Sequence, residues 1–168
     1  DLYHKLTSIS SISPRKDQQE IIDKILDYFM INEKGLVVIP CGAGKTLISL
    51  WACIRMNIKS ILIGVPNILL LKQWEKVVKL ICPDFKSFTV DGNVDSITLK
   101  DYIKDVKDNK YIIITTYASS FKFIDTIDEF EAFDIKILDE VHHLTSSSKS
   151  KSDKEFIKIL DINSKKQL

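Results

Sequence analysis

Apolar residues recur at helical spacing through Ile21, Ile22, Ile25, Leu26, Phe29 and Met30, which predicts a helix with one core-facing side. Ser13-Pro14 just upstream is the capping pair that opens helices, and Gly35 ends the run. From residue 36 to 39 the apolar positions become continuous, as in a buried strand, and residues 40–44 form a loop. Residues 46–56 read as a helix that is apolar on most sides and therefore interior. A second buried strand covers 61–65 and stops at Pro66. A helix over 69–81 carries Trp74, and a strand over 87–90 closes at the Asp91-Gly92 turn. An amphipathic helix follows over 97–106, then apolar strands over 111–115 and 135–138. Residues 145–152 are a polar Thr/Ser/Lys loop, 153–160 a last helix, and 166–168 the start of a further strand.

Strands alternate with helices, and most strands are unbroken apolar runs. That pattern belongs to an α/β fold, a parallel sheet with helices on both faces. Ligands of such sheets bind beyond the carboxyl ends of the strands. The chain has 168 residues, enough for one domain with a sizeable core, and 45% of them are hydrophobic, which excludes a disordered tail. No apolar run approaches the roughly 18 residues of a membrane span, so no membrane partner is expected. Three scattered cysteines, Cys41, Cys53 and Cys82, form neither a disulfide framework nor a zinc pair and suit an intracellular, reducing compartment. A net charge of +1 decides little about nucleic acid, because a local groove can bind it without bulk charge.

Two motifs carry chemistry. Pro40-Cys41-Gly42-Ala43-Gly44-Lys45-Thr46 lies between a strand and a helix. Gly42 and Gly44 let the backbone around Ala43 curl until several N–H groups face one phosphate, and the helix start adds its positive end. Lys45 would reach the outer phosphates of a nucleotide and Thr46 would bind magnesium. The second motif, Asp139-Glu140-Val141-His142, follows a strand. A carboxylate at that place, Asp139, can hold magnesium through water, and its neighbour Glu140 can orient and deprotonate an attacking water. Lys45, Asp139 and Glu140 are thus the predicted catalytic set, with Thr46 and Asp139 on the metal. Adjacent His142 and His143 do not point at one ion, so a zinc reading is not favoured.

The order Arg15-Lys16-Asp17-Gln18, then 40–46, then Val65-Pro66-Asn67, then Thr115-Thr116-Tyr117, then 139–142, resembles motifs Q, I, Ia, Ib and II of superfamily 2 helicases. The resemblance covers nearly the whole chain. The wording of motifs I and II, Pro40 to Thr46 and Leu138 to His142, is most similar to XPB-type DNA helicases, with relatives in restriction enzymes and large DNA viruses. It implies the first RecA-like domain of a P-loop NTPase that uses ATP and magnesium. It also implies a second RecA-like domain elsewhere in the full-length protein, with motif III beginning just after Leu168. Gln18 would read the adenine edge. Pro66, Asn67, Gln73, Thr115, Thr116 and Tyr117 would grip a nucleic-acid backbone, DNA in preference to RNA. His142 would couple the nucleotide site to the second domain. Without that domain's arginine finger, worth roughly 10³–10⁵ in rate in related enzymes, the chain alone is expected to turn over ATP very slowly. A nucleotide-dependent clamp or remodeller that does not unwind, and an RNA helicase, remain the alternatives.

Overall fold

The computed structural model describes residues 12–40, 42–129, 132–142 and 158–168. Five strands run parallel in one sheet: β1 (Ser60–Val65), β2 (Lys86–Val90), β3 (Tyr111–Thr116), β4 (Phe133–Leu138) and β5 (Ser164–Gln167). Their spatial order is β2-β3-β1-β4-β5. Parallel neighbours cannot be joined by a hairpin, so each connection crosses a face of the sheet. The helices are α1 (Lys16–Ile31), α2 (Lys45–Arg55), α3 (Ile68–Ile81) and α4 (Ser96–Val106). Among the described residues no helix is long and apolar enough to cross a membrane.

The two faces follow from the two-residue period of a strand. In β1, Ile61, Ile63 and Val65 pack with Leu50 and Cys53 of α2 and with Leu71, Trp74 and Val78 of α3. Leu62 points the other way, into a second core with Leu99, Ile103 and Val106 of α4. Behind α2, the predicted stripe of α1 buries Ile22, Ile25 and Phe29 against Ile48, Trp51 and Ala52. The sheet therefore has helices on both faces, as the strand pattern requires. The chain leaves central β1 towards β2 and β3 on one side, then jumps to β4 and β5 on the other. The resulting crevice opens at the carboxyl ends of β1, β3 and β4.

Gly64 sits in β1 on the second face, where three elements close over it. A Cβ there would lie 2.3 Å from Ile159 Cδ1, 2.8 Å from Tyr117 Cε1 and 3.1 Å from Leu138 Cδ2. Lys136 of β4 is buried and donates to the carbonyls of Ile159 (3.0 Å), Leu160 (3.1 Å) and Ile162 (2.9 Å). These lie at the end of a helical turn over 158–161, where carbonyls lack intrahelical donors and a cation is favourable. Burial draws the Lys136 amine down to about 8, and repulsion from Lys34 adds to this while Asp161 opposes it.

The structure departs from the sequence reading in four places. The first helix opens at Lys16 rather than at Ser13-Pro14, because the Gln18 side chain accepts from the Arg15 N–H (3.1 Å) and closes the end there. Residues 35–40 are extended but form no regular strand. Their segment meets the sheet through one parallel bridge, Lys34 to Gln167, and Gly35 donates to the Gln167 carbonyl (2.9 Å). Leu36 and Val38 are 75% and 87% exposed, and Val37 and Ile39 between them are only half-buried. Between β3 and β4 lies a run of 3-10 turns, Tyr117–Glu129, that the apolar pattern does not announce. Its hydroxyls bond three residues back, Ser120 to the Tyr117 carbonyl (2.7 Å) and Thr126 to the Phe123 carbonyl (2.8 Å), which favours the tighter helix. Last, β5 begins at Ser164, two residues before the expected start. The polar loop over 145–152 and the first part of the last predicted helix lie outside the described residues.

Gly64→Ala should destabilise the domain by about 1–3 kcal/mol, the usual range for overpacking a filled core. Urea unfolding of the 168-residue chain would measure it.

Candidate active site

The phosphate-loop candidate curls as its glycines allow. Gly42 has φ 82° and Gly44 φ 89°, both left-handed, and Gly44 is the residue before the first turn of α2. That conformation strains any residue with a side chain. At Gly42 an added Cβ would meet nothing within 4 Å, so the loop is open on that side. Lys45 is the first residue of α2 and Thr46 the second. Cys41 lies outside the described residues.

Across the crevice, β4 ends at Leu138 and delivers Asp139 and Glu140. Lys45 Nζ donates to Glu140 Oε1 at 3.0 Å, which joins two residues 95 positions apart. The other oxygen of that carboxylate lies 3.4 Å from His142 Nδ1. Lys45 and Glu140 side chains are 36% and 33% exposed. An ion pair that wet contributes about 0–1 kcal/mol, so an incoming phosphate can displace it at little cost. Glu140 itself has φ 54°, a left-handed conformation that costs a residue with a side chain roughly 1–2 kcal/mol.

Asp139 is held from three directions. Its N–H donates to the Gly64 carbonyl (2.9 Å), which continues the β4–β1 pairing one residue past the strand. The Tyr117 hydroxyl donates to its carbonyl oxygen (2.5 Å). The Trp74 indole N–H donates to Oδ2 (2.8 Å). Burial raises the Tyr117 pKa, with Asp139 and Glu140 adding, so the phenol stays a donor. Oδ1 takes no hydrogen bond among the described residues. The oxygen donors, Asp139 carboxylate and Thr46 hydroxyl, are of the hard type magnesium prefers. The open, glycine-curled loop at a helix start suits the phosphates that such an ion accompanies. The residues present therefore fit a magnesium nucleotide.

The structure relocates several predicted residues. Gln18 is buried rather than poised to read adenine. Its amide nitrogen donates to the Ala43 carbonyl (2.9 Å) and its oxygen accepts from Arg15, so it props the phosphate loop from behind. A Cβ on Gly44 would come 2.7 Å from that amide nitrogen. Thr115, Thr116 and Tyr117 are also buried, and their hydroxyls are turned inward. Thr115 bonds the Thr116 carbonyl, Thr116 bonds Ser119 and Tyr117 bonds Asp139, so these side chains form no surface grip. The cause is the apolar environment at the end of β3, where an unbonded hydroxyl would be costly. Pro66 is half-buried, while Asn67 and Gln73 are exposed. Asn67 caps α3 by accepting from the Leu70 N–H (3.0 Å). His142 is exposed beside Glu140. The Trp74 ring packs in the core, and its indole N–H bonds Asp139, a partner the sequence reading missed. Its only sequence signal was an indole among aliphatic neighbours, and a buried indole N–H needs an acceptor.

Comparison with known proteins agrees with this geometry. Residues 11–168 match the family described as "Type III restriction enzyme, res subunit", and the chain belongs to that family, within the superfamily 2 helicase class that its motif order resembles. Over 139 residues it is 30% identical to the DNA 3'-5' translocase XPB2 of Sulfurisphaera tokodaii, covering 80% of this chain and 28% of that protein. Among solved structures, a nuclease-deletion mutant of the Type ISP restriction-modification enzyme LlaGI, in complex with a DNA substrate mimic, superposes with TM-score 0.77 at 20% identity. That match covers 93% of this chain and 17% of the other. The Sulfolobus solfataricus SWI2/SNF2 ATPase core in complex with dsDNA gives TM-score 0.68 at 19% identity, over 93% and 31%. These two likenesses show the fold, a RecA-like α/β domain. The chain spans well under half the length of each of these relatives.

Replacing Glu140 separates strain from chemistry. Glu140→Gln keeps the left-handed side chain and Glu140→Gly removes it. Relief of roughly 1–2 kcal/mol, less the roughly 0.5–1 kcal/mol of extra chain entropy that glycine loses on folding, favours glycine. Glu140→Gly should therefore be the more stable of the two by about 0.5–1 kcal/mol, measured by thermal melting. Both lack the carboxylate, so a lower melting temperature for Glu140→Gly counts against the strain.

Proposed function

We propose that this chain is the nucleotide-binding half of an ATP-driven DNA translocase or helicase. The observation that carries the reading is the convergence of the loop 42–46 with Asp139 and Glu140 at the carboxyl ends of β1 and β4. Lys45 and Glu140 already touch across that crevice. Backbone N–H groups of the loop and the start of α2 would bind the phosphates, with Lys45 on the outer ones. Thr46 and Asp139 would hold magnesium, which neutralises phosphate charge when bound. Lys45 leaves Glu140 when it turns to phosphate, and the freed carboxylate then orients water and takes its proton. His142, against the same carboxylate, would pass its state to a second RecA-like domain of the full-length protein.

DNA is favoured over RNA because a relative 30% identical over 139 residues is named a DNA translocase. On this chain the grip falls to exposed Asn67 and Gln73 and to backbone N–H groups near Pro66, since the side chains of Thr115, Thr116 and Tyr117 are buried. Contacts of that kind go to phosphates and carry no sequence information.

In the full-length protein, Lys45→Ala should weaken binding of a non-hydrolysable ATP analogue at least about tenfold, roughly 1.4 kcal/mol, by calorimetry. Glu140→Gln should retain binding while turnover falls on the order of 10²–10⁴-fold, the usual worth of a general base. Unchanged analogue affinity in Lys45→Ala removes the phosphate-loop reading. Duplex DNA should stimulate ATP turnover irrespective of its sequence, and the apparent affinity should fall steeply with salt. Stimulation by RNA alone would move the assignment to an RNA helicase. Stimulation by DNA without strand displacement or directional movement would make the protein a clamp.

A further inference from the structure

We infer that Trp74 is a positioning residue for the cation site: its indole N–H sets the orientation of the Asp139 carboxylate. The inference rests on the reading of Asp139 as a magnesium-holding residue. Trp74 lies on α3, is 2% exposed, and donates from Nε1 to Asp139 Oδ2 at 2.8 Å, across 65 positions of sequence. An indole nitrogen only donates, so the bond has one polarity and one geometry. An aspartate carboxylate otherwise turns broadly about its last torsion. Holding Oδ2 on the indole aims Oδ1 away from α3. Magnesium demands near-ideal octahedral geometry and tolerates a misdirected ligand poorly.

The structure holds Asp139 from the backbone side as well, through Gly64 and Tyr117. Neither of those bonds reaches the carboxylate. Among the described residues, Trp74 alone donates a hydrogen bond to it. Ring packing does not account for the choice of residue, because a phenylalanine would fill most of the same space among Leu71, Val78 and Val65. What tryptophan adds is the donor, and a buried donor on a carboxylate that binds a cation works through that carboxylate.

The test uses Trp74→Phe in the full-length protein, with Asp139→Ala beside it. The measured quantity is the Mg²⁺ concentration needed for half-maximal ADP affinity, by calorimetry. Partners that orient a metal ligand are worth about 10–100-fold in metal affinity, so Trp74→Phe should raise that concentration about tenfold or more. ADP affinity without Mg²⁺ should stay within about twofold, since indirect loss of fold would lower both. The wild-type protein gives a reading that needs no change at position 74. The chain has two tryptophans, and Mg²⁺ added to the ADP complex should shift the indole emission. Trp51→Phe should retain the shift. If Trp74→Phe leaves the Mg²⁺ requirement at the wild-type value while Asp139→Ala raises it, the inference about Trp74 fails and the magnesium assignment stands. If Asp139→Ala leaves it unchanged, both fail. An emission spectrum indifferent to Mg²⁺ overturns the inference even if the Phe variant does not fold.

Discussion

The absence of a side chain at Gly64 is the constraint on which the site depends. Tyr117, Leu138 and Ile159 close over that position from three elements, the first and last nearer than a Cβ allows and Leu138 in tight contact. The Gly64 carbonyl takes the N–H of Asp139, so the same residue sets both the packing of β1 and the exit of β4. With the Tyr117 ring seated on Gly64, its hydroxyl reaches the Asp139 carbonyl. A methyl group at this point would therefore disturb the core and Asp139 together. Energies of a few kcal/mol are a large share of a domain's net stability.

Around that fixed point the reactive groups are held loosely. The Lys45–Glu140 pair is about one-third exposed on each side, so its net worth is small. Glu140 also sits in a left-handed conformation that its side chain resists. A weak pair and a strained hinge are what a site needs if phosphate is to part the two residues and turn the carboxylate to water. The phosphate loop is the reverse case. Its curl rests on two left-handed glycines and on Gln18, which supports it through the Ala43 carbonyl.

Helix α3 links the two ends of the proposed mechanism. Its cap, Asn67, and its Gln73 are exposed, and Trp74, the next residue, is bonded to Asp139. Tyr117, at the start of the 3-10 segment, reaches the same aspartate from β3. Residues whose positions in sequence pointed to a polymer are thus wired inward. A shift of α3 or of the 117–129 segment would be felt at Asp139, since packed elements transmit displacement rather than absorb it.

The sequence by itself determined the class of fold and the heart of the site. Continuous apolar runs require strands buried on both faces, and the Gly-Ala-Gly-Lys-Thr and Asp-Glu-Val-His stretches need those strand ends to do chemistry. Glycine spacing, a lysine at a helix start and paired carboxylates are local properties, legible within a few residues. The tertiary structure decided whatever depends on what lies opposite. Residues 36–39 look like a core strand but form no regular ladder; the pairing with β5 falls just before them, at Lys34 and Gly35, and Val37 and Ile39 pack only partly buried. Gln18, Thr115, Thr116 and Tyr117 are polar and were expected to face ligands, yet each is buried with its polar atoms bonded inside. Trp74 gave no sign of its partner, 65 positions away. Composition and period report how a side chain meets its own element. Which acceptor a buried donor finds is set by the packing of elements distant in sequence, and no local pattern encodes it.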